Sequence, residues 1–178
     1  MRIVAGSLRG RKIEAPEGSN TRPTTDKVRE AVFNALGSMS VIDGARVVDL
    51  YAGSGALGIE AISRGATHCT FVESDRRAVA TIRSNIEHLG ITDSSTVVIG
   101  DALSRKDVLQ AADVVLADPP YEFEEWQTLL DLVANSCDNA AVTVVAESDK
   151  PLANIGGWEA TRSKRYGGTW VTFLQRLP

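Results

Sequence analysis

The chain has 178 residues and a mass of 19.1 kDa, the usual size of one domain, which excludes two domains of equal weight. Hydrophobic residues make up 43% and charged residues 24%, enough apolar surface for a buried sheet and too much for a disordered chain. A net charge of −4, from 19 basic and 23 acidic residues, excludes a protein that coats nucleic acid over its whole surface.

The opening residues Met1-Arg2-Ile3-Val4-Ala5-Gly6 lack the apolar core of a signal peptide, and no later stretch reaches the roughly 18 apolar residues of a membrane span. A soluble, cytoplasmic protein is expected. Arg2 to Val4 and Arg11 to Glu14 are short extended segments around a glycine turn, which predicts a small basic hairpin carrying Arg9, Arg11 and Lys12. Pro16, Gly18, Asn20 and Pro23 then break regular structure, so residues 1–23 read as hairpin and linker and 24–178 as the main domain. Val28, Ala31, Val32, Ala35 and Leu36 fall on one helical face, with Thr24 or Thr25 as N-cap and Gly37 near the C-cap.

Short apolar runs then alternate with helical ones: Arg46 to Leu50, Ala56 to Arg64, Cys69 to Glu73, Arg76 to Leu89, and Thr96 to Ile99. That rhythm predicts βαβ units around a mostly parallel sheet, an α/β Rossmann-like architecture. Asp113 to Ala117 and Ala141 to Ala146 are further strands, with a helix from Trp126 to Ala134 between them. Ala160 to Tyr166 and Thr169 to Gln175 flank Gly167-Gly168, which makes the last strand antiparallel to its neighbour. A second basic cluster, Arg162, Lys164 and Arg165, lies in this hairpin; like the first, it gains meaning only if the fold brings it beside the site. Cys69 and Cys137 have no metal-ligand spacing and read as packing residues, while His68 and His88 read as a strand-edge and a helix-surface residue. No metal is expected.

The first chemical motif runs from Val47 to Gly58: a buried strand, then Asp49-Leu50-Tyr51-Ala52-Gly53-Ser54-Gly55, then a helix. Gly53, Gly55 and Gly58 satisfy the dinucleotide fingerprint, and Glu73 lies 20 residues beyond Gly53, where an acid for ribose hydroxyls belongs. This alone does not separate NAD from S-adenosylmethionine, since both carry adenosine. Asp49 leans toward the second, because a carboxylate beside the loop repels a pyrophosphate and attracts a sulfonium and an ammonium. Asp101 could accept from an adenine amine while the Ala102 amide donates to the ring. Three acids at the ends of successive strands fit the rule that ligands bind outside the carboxyl ends of an open sheet.

The second motif is Asp118-Pro119-Pro120-Tyr121, directly after the strand that ends at Ala117. A base amine is a poor nucleophile because its lone pair is delocalised into the ring. Acceptors aimed at its N–H bonds favour the pyramidal form that attacks a methyl group. Asp118 offers a carboxylate, Pro119 a carbonyl on a backbone stiffened by two prolines, and Tyr121 a ring on which the base can stack.

Together these motifs resemble class I S-adenosylmethionine-dependent methyltransferases acting on planar amines. The resemblance is closer to the RsmD-type small-subunit ribosomal RNA guanine-N2 methyltransferases, through Arg2 to Gly6 with Arg9-Gly10-Arg11, Arg22-Pro23-Thr24, Val28 to Ala31 with Phe33-Asn34, and Tyr166-Gly167 with Thr169. It implies a seven-stranded sheet, an RNA-holding hairpin, and methyl transfer to the 2-amino group of one guanine in 16S ribosomal RNA, leaving S-adenosylhomocysteine. By resemblance Asp118, Pro119, Pro120 and Tyr121 hold the base. Asp49, Tyr51, Gly53, Gly55, Glu73, Asp101 and Ala102 hold the cofactor. Arg9, Arg11 and Lys12 contact RNA, and Arg22 and Thr24 face substrate or cofactor. A monomer is expected, acting on naked ribosomal RNA or on an assembly particle. The rival readings are an adenine-N6 or protein glutamine methyltransferase, which share a related motif, an NAD-dependent oxidoreductase, and an idle RNA-binding module.

Overall fold

The computed structural model describes residues 1–16 and 26–177. Its frame is a seven-stranded sheet in the order β3-β2-β1-β4-β5-β7-β6. Strands β1 (Arg46–Leu50), β2 (His68–Glu73), β3 (Ser95–Ile99), β4 (Val114–Ala117) and β5 (Thr143–Ser148) run parallel. Strand β7 (Thr169–Arg176) runs antiparallel between β5 and β6 (Trp158–Tyr166). The seven-stranded, mostly parallel Rossmann-like sheet and its antiparallel last strand are as expected.

Central strands of such a sheet are buried on both faces, which is why β1 and β4 are near-continuous apolar runs. Alternate residues divide between two cores. Val47, Leu116 and Val145 meet α1 (Asp26–Ser38), α2 (Ala56–Ser63) and α3 (Arg76–Leu89) on one face. Val48, Val115 and Val144 meet Leu129, Leu130 and Val133 of α4 (Trp126–Ser136) on the other. Val79, Ile82, Ile86 and Leu89 form the buried stripe of α3, which Asp75 caps at one end and the left-handed Gly90 ends at the other. Cys69 and Cys137 are both buried packing residues. No helix among the described residues is long and apolar enough to cross a membrane.

The N-terminal segment turns back on itself through an antiparallel bridge of Arg2 with Lys12, flanked by the Ile3 amide donating to the Arg11 carbonyl at 3.0 Å and the Ile13 amide donating to the Met1 carbonyl at 3.1 Å. Further amides of the segment reach the sheet domain: Val4 and Ala5 donate to the buried Glu60 carboxylate at 2.8 and 3.0 Å, and Leu8 donates to the Ser63 hydroxyl. Ile3 and Ile13 enter the same core as α1 and α2, so the segment is fastened to the sheet domain. Between β3 and β4 the crossover is built from two 3-10 turns, Ala102–Ser104 and Lys106–Val108.

Candidate functional site

β1 is flanked by β2 on one side and β4 on the other, so the connections leaving β1 and β4 diverge and open a crevice at their carboxyl ends. A cleft of about 950 Å3 lies there. Asp49, Tyr51 and Gly53 line it from β1 and its loop, Glu73 from β2, Asp118 to Tyr121 from the end of β4, and Tyr166 to Thr169 from the β6–β7 turn. The glycine loop and the Asp118 motif, far apart in sequence, therefore face one space.

The glycine loop is held from several directions. Tyr51 and Gly53 adopt left-handed backbone at φ 60 and 55, a conformation that costs a non-glycine residue about 1 kcal/mol or more. The Gly53 amide donates to Glu73 Oε2 at 2.8 Å, and Glu73 Oε1 accepts from the Asp75 amide at 2.8 Å. Glu73 thus ties the loop after β1 to the loop after β2, while each oxygen keeps acceptor capacity for a diol. Asn85 of α3 donates to the Ser54 carbonyl, and Asp49 Oδ2 accepts from the Gly58 amide in the first turn of α2 at 2.9 Å. Gly55, at φ 79, turns the chain into α2 and packs against Ile59, Phe71 and Ile82 outside the cleft lining. A Cβ at Gly58 would collide with the Phe71 ring and the Cys69 sulfur, so this glycine sets how closely α2 approaches β2.

Asp49 is 1% exposed. Burial above all pushes its carboxyl well above the usual range; the Gly58 amide pulls it back, and the charges of Asp118 and Glu73 push it further up. A bound cation would relieve this cluster, whereas an anionic pyrophosphate would add to it. Glu147 and Asp149 extend the acidic lining, and Lys27 is the cationic side chain among the described residues of the cleft. The donor set therefore fits a ligand carrying a sulfonium and an ammonium.

Asp101 lies outside the cleft lining, exposed, accepting from the Leu103 amide and the Ser104 hydroxyl; Ala102 behind it is buried. Asp101 still faces Tyr51, whose hydroxyl is pushed up to about 12 by burial first, then by Asp101 and Glu125. After β4, the Phe123 amide donates to the Pro120 carbonyl at 3.0 Å and closes the turn. Tyr51, Phe123 and Trp126 stack edge to face at 5.5 and 5.0 Å, an aromatic wall behind the motif, and Tyr121 stands 68% exposed at its mouth.

Arg9, Arg11 and Lys12 do not line the cleft; Arg11 donates to the His88 carbonyl in the last turn of α3 at 3.0 Å. The N-terminal segment reaches the cleft through Met1, Ala15 and Pro16 instead. Arg22 and Thr24 lie outside the described residues. Sequence reasoning missed Glu147, Phe123, Trp126 and Lys27. For Glu147 a signal existed, since it is an acid at the carboxyl end of a parallel strand, as Asp49 and Glu73 are.

Residues 1–175 match the family model described as conserved hypothetical protein 95. The Ribosomal RNA small subunit methyltransferase D of Escherichia coli is 36% identical, with 99% of this chain and 90% of that protein covered. This chain belongs to the RsmD family. The Haemophilus influenzae protein of the same name is 34% identical over 94% of this chain and 89% of its own length. Among solved structures, the Escherichia coli protein yhhF superposes with a TM-score of 0.85 at 32% identity, covering 99% and 98% of the two chains. An RNA methyltransferase from Salinibacter ruber, solved with S-adenosyl-L-homocysteine, shares the fold at a TM-score of 0.69 and 23% identity over 88% and 94%. RsmD membership makes the protein an S-adenosylmethionine-dependent enzyme, in keeping with the acid-lined cleft.

Proposed function

We propose that this RsmD-family enzyme, a methyltransferase of small-subunit ribosomal RNA, places its methyl group on the exocyclic 2-amino group of a guanine. The observation that carries the reading is the rigid Asp118-Pro119-Pro120-Tyr121 turn at the mouth of an acid-lined cleft over the β1–β4 switch point. S-adenosylmethionine supplies an electrophilic methyl group when bound. The Asp118 carboxylate and Pro119 carbonyl accept the amine's N–H bonds and hold its lone pair out of conjugation. Tyr121 stacks on the base, and the Asp118 carboxylate takes up the proton as the nitrogen becomes cationic. Much of the rate then comes from positioning. A guanine inside a duplex cannot reach such a cleft, so the target is unpaired or flipped outward.

For the cofactor, Glu73 suits the ribose diol, Asp49 with Gly53 and Gly55 the loop side, and Asp101 with Ala102 and Tyr51 the adenine side. Two basic surfaces suit the RNA backbone. One is the N-terminal segment with Arg9, Arg11 and Lys12, while Arg22 and Thr24 are taken to serve substrate or cofactor. The other is edge strand β6, where Arg162, Lys164 and Arg165 are exposed and Lys164 sits 5.3 Å over the Tyr166 ring that lines the cleft. We take the enzyme to be a cytoplasmic monomer.

The test is incubation of the purified protein with labelled S-adenosylmethionine and small-subunit RNA, naked or in partly assembled particles, followed by nucleoside mass spectrometry. N2-methylguanosine is expected. Label in N6-methyladenosine or in protein would transfer the reading to its rivals.

A further inference from the structure

Next to Asp118 the cleft holds a second carboxylate that the chemistry above does not use. Strands β4 and β5 pair in register, Leu116 opposite Val145 and Ala117 opposite Ala146. Asp118 follows β4 directly, and Glu147 lies in β5 one residue beyond Ala146, the partner of Ala117. Neighbouring strands lie about 4.8 Å apart, so the two acids emerge from adjacent strands at the same end of the sheet. Both line the cleft, and Glu147 is only 6% exposed. Two acids lining one end of the cleft present a row of hydrogen-bond acceptors to whatever enters it. A flat ligand presenting two adjacent N–H donors turns the arrangement into a complementary one.

We propose that Glu147 selects guanine by accepting the N1–H of the target base while Asp118 and Pro119 hold the neighbouring 2-amino group. This rests on the guanine-N2 reading above. Guanine carries N1–H and the 2-amino group next to each other on one edge. Adenine has an unprotonated N1 and no 2-amino group, and cytosine an unprotonated N3. In each case a carboxylate at that position meets a lone pair, and two acceptors facing each other repel where guanine's N1–H would bond.

The probe is a small-subunit RNA fragment bearing the methylated guanine, with that guanine exchanged for 2-aminopurine, which keeps the 2-amino group and lacks the N1 hydrogen. The native enzyme should methylate guanine about 100-fold faster than 2-aminopurine. In Glu147→Gln the side-chain amide can donate to the bare N1, so the ratio should fall by about 10-fold or more, with the 2-aminopurine rate held or raised. A purely structural role lowers both rates together, and an unchanged ratio overturns the proposal. So does a native enzyme that accepts both bases equally, a result needing no variant. If the native enzyme forms no N2-methylguanosine at all, the guanine reading itself fails and this inference falls with it.

Discussion

Replacing Asp49 by asparagine should move stability and cofactor affinity in opposite directions. The side chain is buried and accepts a hydrogen bond from the Gly58 amide, which the asparagine carbonyl oxygen can accept equally well. What the substitution removes is a charge that burial disfavours and that Asp118 and Glu73 oppose. Because the folded-state carboxyl is raised, the native chain holds its proton more tightly than the unfolded chain does. Stability of the native protein therefore falls as pH rises above the unfolded value near 4, until the raised carboxyl has ionised. The variant escapes this loss. Below about pH 4 the two proteins should melt together, and toward neutral pH the variant should gain about 1–3 kcal/mol, or roughly 2–10 °C in Tm. A cationic cofactor loses a charged partner worth about 1.5–3 kcal/mol, so its affinity should drop roughly 10- to 100-fold. S-adenosylhomocysteine, which keeps the ammonium but lacks the sulfonium charge, should lose less. Thermal melts across pH and calorimetric titration of both ligands read these quantities. A variant less stable at neutral pH, or parallel losses for the two ligands, would refute the argument.

Three further outcomes follow from the same geometry. Asp118→Ala should lower kcat by about 100-fold or more while S-adenosylhomocysteine binds as before, since the carboxylate serves the base and not the loop that holds the cofactor. Joint replacement of Arg162, Lys164 and Arg165 by alanine should raise KM for RNA and flatten its salt dependence, by a log–log slope of about 0.7 for each phosphate no longer neutralised; the same triple change at Arg9, Arg11 and Lys12 measures the other surface. Gly58→Ala should cost about 1–3 kcal/mol in a denaturant melt, because the added methyl meets the Phe71 ring and the Cys69 sulfur.

Most of the frame is legible in the sequence because β1 and β4 are buried on both faces and so are nearly continuous apolar runs, and because the α3 stripe from Val79 to Leu89 has a helical period. Strand β6 begins earlier than its sequence suggests, at Trp158, since a bulge between Ala160 and Arg162 breaks the alternation that marks a strand. The anchoring of the N-terminal segment is illegible for a different reason. The partners of Val4, Ala5 and Leu8 are the Glu60 and Ser63 side chains, far away in sequence, and no local pattern announces them. At the site, Asp49, Glu73 and the Asp118 motif stand out because each lies at a strand end beside a recognisable loop. Glu147 does not, because Glu147-Ser148-Asp149-Lys150 reads as a polar turn, and only the register of β5 against β4 shows which acid it stands beside.

The central claim is that Asp118 and Pro119 grip a guanine amine within reach of the cofactor's methyl group. A crystal structure of the enzyme with S-adenosylhomocysteine and an RNA fragment bearing the methylated guanine measures this directly. The account requires the guanine N2 within hydrogen-bond distance of the Asp118 carboxylate and the Pro119 carbonyl, with the adenosyl group lying along Asp49, Gly53 and Glu73. A tetrapeptide turned away from the base, or a base held elsewhere in the cleft, would contradict it.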